Sequence, residues 1–259
     1  MKLFADELYQ NPWRQDDFFD DFNELDVVAR WLETSDDGNA AVTLVADGSW
    51  TAAQLDTGDG ATNQECYLSS NQAWVIENNR PIQAEFAVKF TEADTDNAAV
   101  VAGLSDGWAA NFIVDTTGVL VAAGFDGACF YKVPGETAWN FKSSITTTST
   151  ISVIADHVAG NTSQLQLFRI LIRPISSTVA EVVPLMGVTG EGSHFSQCLD
   201  ATSRLPIKHF ITYDGFVAAA IGFGVKAAGG TNNTETIQVG HARMPLSGIQ
   251  RRTRTWIPA

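Results

Sequence analysis

Positive charge is scarce in this chain: 16 Lys and Arg stand against 30 Asp and Glu over 259 residues, a net charge of −14 at pH 7. Neutralising a phosphate backbone takes clustered Lys and Arg, so a nucleic-acid-binding body is excluded, and the pull of anionic membrane surfaces is missing too. Long hydrophobic runs are absent. Nothing approaches the ~20 apolar residues of a membrane span, and Met1-Lys2-Leu3 leads to Asp6 and Glu7 without a run of signal-peptide length. Neither a nucleic-acid partner nor a membrane partner is expected. Cysteine is sparse: Cys66, Cys129 and Cys198 lie far apart, with no CxxC and no Cys/His ligand spacing. Such residues read as small core hydrophobes with free thiols, in a chain made in a reducing cytoplasm. One disulfide with an odd cysteine left over is the alternative.

Reactive constellations are missing as well. The sequence has no GxSxG, no cysteine-nucleophile motif, no P-loop and no dinucleotide glycine fingerprint. The histidines (His157, His194, His209, His241) are scattered, without spacing for a shared metal. Two acidic loops, Asp56-Thr57-Gly58-Asp59 and Asp94-Thr95-Asp96-Asn97, offer the oxygen ligands that calcium takes. Short Asp/Asn loops more often simply form turns. No cofactor, no metal and no enzyme activity are therefore expected.

Strand patterning is plentiful. From Arg80 to Ser144 the chain reads RPIQAEFAVKFTEADTDNAAVVAGLSDGWAANFIVDTTGVLVAAGFDGACFYKVPGETAWNFKSS. Ile82, Ala84, Phe86, Val88 and Phe90 alternate with other residues, which sends one side chain inward and the next outward along a strand. Further short apolar runs follow between Gly, Asp and Asn. Other strands are expected near Ala41–Val45, Ala73–Ile76, Thr146–Ala155, Gln164–Arg173 with a hairpin partner at Thr178–Val183, Val217–Ala228 and Thr236–Met244. Residues 184–210 read as an irregular excursion. Apolar residues never repeat at i, i+3, i+4, i+7 for three turns, so helices should be short. The expected fold class is all-β, a single sandwich over residues 27–245.

Both ends differ from this body. Residues 1–26 mix Asp6, Glu7, Asp16, Asp17, Asp20, Asp21, Glu24 and Asp26 with Phe4, Tyr9, Trp13, Phe18, Phe19 and Phe22. They read as an extended N-terminal arm whose Trp13, Phe18, Phe19 and Phe22 dock on a neighbouring surface. The competing reading has these aromatics closing one end of their own sandwich. Residues 246–259 form a basic C-terminal tail, with Arg251, Arg252, Arg254 and Trp256 as candidate interface residues. Arginine suits bidentate contacts with the carboxylates of an acidic neighbour, though a solvated tail reads equally well.

A family resemblance rests on Arg80–Phe86, Phe90–Asn97, Val101–Asp106, Gly127–Val133 and Trp139, with Gly222–Lys226 ahead of Glu235–Met244. These segments resemble tailed-phage virion proteins built on a concanavalin A-like (laminin G-like) jelly-roll β-sandwich. The resemblance spans most of residues 50–245 and carries no site motif. It implies a capsid decoration (cement) protein on the virion surface, made in the host cytoplasm. Its partners would be the major capsid protein and further copies of itself, as a trimer or other small homo-oligomer, with extended arms at both termini. An alternative for the same fold is a carbohydrate-binding, lectin-like module of a phage head or tail fibre, or of a cell, with Trp50, Trp74, Trp108 or Trp139 stacking on glycans. Buried core tryptophans are the plainer reading of those four. Glycoside hydrolases of this fold class resemble Glu-x-Asp-x-x-Glu. Here Glu24-Leu25-Asp26-Val27-Val28-Ala29 places Ala29 where the second carboxyl belongs. Retaining hydrolysis needs two carboxyls about 5–5.5 Å apart, so that activity is not expected.

Overall fold

Alternating side chains need two layers to hide between, and the chain supplies them as two antiparallel sheets. A computed structural model describes residues 18–244, apart from 28, 36–38, 48–49, 59–62, 77–79, 92–97, 115–118, 121–124, 147, 160–164, 189–194, 214–217 and 228–233. Its strands are β1 (Phe18–Asp20), β2 (Trp31–Ser35), β3 (Ala41–Asp47), β4 (Trp50–Asp56), β5 (Glu65–Trp74), β6 (Ile82–Thr91), β7 (Ala98–Ser105) and β8 (Gly127–Lys132). There follow β9 (Ala138–Ile145), β10 (Thr148–Val158), β11 (Gln166–Pro174), β12 (Val179–Val188), β13 (Ser196–Gln197), β14 (His209–Thr212), β15 (Ala219–Ala227) and β16 (Thr236–Met244). One sheet has nine strands in the order β13-β12-β11-β6-β16-β4-β3, with β1 beside β16 and β14 beside β12. The other has seven, in the order β10-β9-β8-β7-β15-β5-β2. Among the described residues no helix is long and apolar enough to cross a membrane.

The main core lies between the sheets. Ala84, Phe86, Val88 and Phe90 of β6 point into it, as their alternation requires, together with Phe130, Phe141, Phe168, Ile221 and Phe223. Phe86 stacks on Phe168 at 5.6 Å and meets Phe223 edge-on at 5.6 Å, so one ring ties three strands across the layers. The expected hairpin is present: β11 pairs with β12 from Gln166–Val188 to Pro174–Ala180.

A second core covers the outer face of the seven-stranded sheet. Trp108, Phe112, Ile113, Leu120 and Phe125, from the β7–β8 connection, pack on Tyr67, Val101, Cys129 and Tyr131. β7 is thereby buried on both faces, which is why Ala98–Ser105 reads as a continuous apolar run instead of alternating. Trp108 sits directly over Gly222, where a Cβ would lie 2.4 Å from the indole. A buried ion pair fastens this cover. Lys226 Nζ lies 2.8 Å from Glu65 Oε2 and donates to Asn111 Oδ1 at 3.1 Å, while Glu65 Oε1 accepts the Asn111 N–H at 2.5 Å.

The N-terminal segment needs a correction from residue 18 onward. Residues 18–26, expected within an arm, belong to the sandwich: β1 pairs with β16 through Phe18–Met244, Phe19–Arg243 and Asp20–Ala242. Phe18 and Phe22, expected as interface residues, are buried in the chain's own core against Trp31, at 5.4 and 5.2 Å between rings. Trp13, Arg251, Arg252, Arg254 and Trp256 lie outside the described residues. The three cysteines are free and buried. Burial pushes the Cys198 thiol up to about 12, and the Cys129 thiol up likewise, so both stay protonated and unreactive.

Candidate functional site

Glu85 is an outward position on β6, in the middle of the nine-stranded sheet, and both neighbouring strands set an arginine opposite it. The register pairs Glu85 with Arg169 of β11 and with Arg243 of β16. Arg169 Nη2 lies 2.8 Å from Glu85 Oε1, and Arg243 reaches Oε2 from Nε at 2.8 Å and from Nη2 at 2.6 Å. The Glu85 side chain is only 3% exposed, whereas Arg169 and Arg243 retain 26% and 43%. The carboxylate is thus the floor, buried beneath two guanidinium groups that stay partly exposed.

A bulge in β16 aims the rest of the strand. Inward residues run Ile237 and Val239, then Ala242 and Met244, because the register shifts by one between Val239 and His241. The extra residue turns both His241 and Arg243 outward, which is how bulges commonly re-aim side chains beside sites. Gly240 at the bulge leaves room for Trp50: a Cβ there would come within 2.9 Å of the indole.

These groups border an open cavity of about 670 Å3 on the outer face of the nine-stranded sheet. Its aromatic walls are Phe19, Trp50 and Phe195, and its polar groups include Asp21, Asn23, Thr51, Glu85, Arg169, His241 and Arg243. Phe195 lies over the Arg169 guanidinium, 3.8 Å from ring centroid to Cζ, which holds both planes in place. Burial, reinforced by the charge of Arg243 and opposed by Glu85, lowers the His241 pKa, so the imidazole is neutral near pH 7.

The rim beside Phe19 is built by Asp20. Its Oδ1 accepts the Phe22 N–H at 2.8 Å and its Oδ2 accepts the Trp31 indole N–H at 2.8 Å, with Arg30 Nη1 at 3.3 Å. Phe22 takes φ 52°, turning the chain so that Asp21 and Asn23 face the cavity while Phe22 faces the core. Phe19, 54% exposed between two buried neighbours, is the one expected interface aromatic that reaches an accessible surface among the described residues.

Of the four tryptophans considered for sugar stacking, Trp50 alone lines this cavity; Trp108 and Trp139 are core residues, and Trp74 packs against the main core. Glu85 and Arg169 were not singled out from the sequence, and His241 was noted only as one of four scattered histidines. The signal of the charged groups was opposite charge at outward positions of good strands, which becomes a constellation only once β11, β6 and β16 are known to be neighbours. Asp56 Oδ1 accepts the Gly58 N–H at 2.6 Å, the turn-forming role of such a loop, and Asp59 and Asp94–Asn97 lie outside the described residues. Asp26 Oδ1 accepts the Ala29 N–H at 2.8 Å in another turn. Among the described residues no three His, Cys, Asp or Glu converge to hold a metal ion.

No protein-family model and no curated protein matches the chain. Solved structures do. The carbohydrate recognition domain of Emp47p aligns at TM-score 0.52 and 10% identity, covering 88% of this chain and 93% of that one. Peanut lectin, solved with a nine-residue peptide, aligns at 0.52 and 13%, covering 88% and 95%. The exoplasmic/lumenal domain of VIP36, in its Ca2+/Man2-bound form, aligns at 0.51 and 8%, covering 91% and 89%. The fold is that of a legume-lectin-like, concanavalin A-like β-sandwich. At these identities the likeness extends to the fold alone.

Proposed function

We propose that this protein is a non-catalytic carbohydrate-binding domain, and that the cavity over the nine-stranded sheet is its sugar site. The observation that carries the reading is the composition of that cavity. Trp50, Phe19 and Phe195 offer apolar faces, and polar groups from several strands stand among them. Sugar rings present just such a mixture, with C–H faces that pack on aromatics and hydroxyls that both donate and accept. Neutral His241 can do either, Asn23 does both, and Asp21 accepts. Similar folds include a carbohydrate recognition domain and a lumenal domain solved with Man2, which favours the same reading.

The capsid-decoration reading rests on a resemblance over most of residues 50–245 and on terminal segments of which residues 1–17 and 245–259 lie outside the described residues, and none of the three neighbours named above is described as a virion protein. The carbohydrate reading is the better supported of the two. A glycan array probed with the full chain tests it. Binding to a defined set of glycans is expected, weakened at least tenfold in Trp50→Ala, as for a central aromatic anchor. An array without hits, or hits indifferent to Trp50→Ala and Phe19→Ala, contradicts it.

A further inference from the structure

We infer that the sugar this pocket selects carries an acidic group, a hexuronate being the simplest case, and that Arg169 and Arg243 recognise that group. The inference rests on the carbohydrate-binding reading above and deepens it.

Two guanidinium groups share one carboxylate at the floor of the cavity, so the floor keeps one formal positive charge. Each guanidinium has five N–H donors. Among the described residues, Arg169 directs one Nη at Glu85, and Arg243 directs Nε and one Nη. Gln83 also donates to Glu85 Oε1, so that carboxylate is fully engaged and cannot pair with the remaining donors. Among the described residues the buried Arg169 Nε has no hydrogen-bond partner. Phe195 lies over the Arg169 guanidinium, which fixes the plane of the fork. A planar, pre-set guanidinium with spare donors matches a carboxylate better than it matches scattered hydroxyls.

Charge is ordered with depth. The exposed acid, Asp21, stands at the rim, where its oxygens already accept from the Asn23 side chain at 2.6 Å and, more weakly, from its N–H at 3.4 Å. A uronate would therefore enter with its carboxylate toward the arginines and its hydroxyls toward Asp21, Asn23 and Thr51. The overall charge of −14 does not cancel this. Charges more than about 8–10 Å away are largely screened at physiological salt, whereas contacts at hydrogen-bond distance are not.

Calorimetric titration of the full chain with paired ligands tests the assignment: trigalacturonate against its neutral galactose trisaccharide, and a glucuronate oligosaccharide against its glucose counterpart. At least one acidic member should bind tenfold or more tightly than its neutral partner. Arg169→Lys keeps the charge beside Glu85 but loses the fork and the stacking, and should remove most of that preference. Thermal melts confirm that the variant is folded, and the wild-type comparison stands without it. Equal or tighter binding of the neutral members, or array hits that all lack acidic groups, overturns this inference and leaves the carbohydrate reading intact. Absence of binding to every sugar, on the array and in solution, overturns both.

Discussion

Lys226 and Glu65 show how much a single residue matters here. Their side chains are almost wholly buried, 2.8 Å apart, and tie the aromatic cover to the seven-stranded sheet. Removing one partner leaves a buried charge uncompensated, so Lys226→Met should cost about 3–5 kcal/mol, while Glu65→Gln with Lys226→Met should recover much of it. Urea denaturation of the single and double variants checks this. At the pocket, Gly240→Ala should displace the Trp50 ring and weaken glycan binding with little change in the melting curve, read by titration and calorimetry. Legibility at this scale was uneven. Phe18, Phe19 and Phe22 look alike in sequence, yet Phe18 and Phe22 are core and Phe19 is exposed. The difference comes from a three-residue strand pairing with the last strand of the sheet, a non-local contact with no local signature.

Elements were more readable than residues. β16 has the bounds expected from its apolar pattern, and the inward set of β6 was evident from alternation. β12 runs five residues past the expected Val183, through Pro184. Its carbonyl accepts from the Cys198 N–H, so the side lacking a donor faces the edge and costs no ladder bond to β11. The cover over β7 was not foreseen, because a loop that buries aromatics looks, in sequence, like any loop between strands. Trp108→Ala should lower stability by about 3–5 kcal/mol through the lost packing over Gly222. Since that cover lies on the other sheet, glycan affinity should stay within about twofold, measured on the folded variant. The pocket's charged trio was hidden for a related reason: Glu85, Arg169 and Arg243 come together by strand order, and alternation reveals which side a residue faces but not which strand lies beside it.

At the scale of the whole molecule, folding holds histidines uncharged. Burial lowers the His209 pKa to about 4, with Asp200 opposing, and Ser143 and Ser152 hydroxyls lie 2.9 and 3.1 Å from its ring nitrogens. Burial lowers His157 and His241 as well. A histidine depressed in the folded state binds its proton more readily when unfolded, so its contribution is present above about pH 6.5 and is lost as pH falls toward 4. For His209 the loss is on the order of 3 kcal/mol, and His209→Gln should flatten the pH dependence of urea midpoints over that window. The fold class was legible across this scale, whereas the function required the cavity. That claim is tested most directly by hydrogen-exchange mass spectrometry of the full chain with and without the best glycan from the array. Protection is expected in peptides spanning residues 19–23, 50–51 and 240–243; protection confined to residues 106–113 on the opposite sheet, with these unchanged, would contradict it.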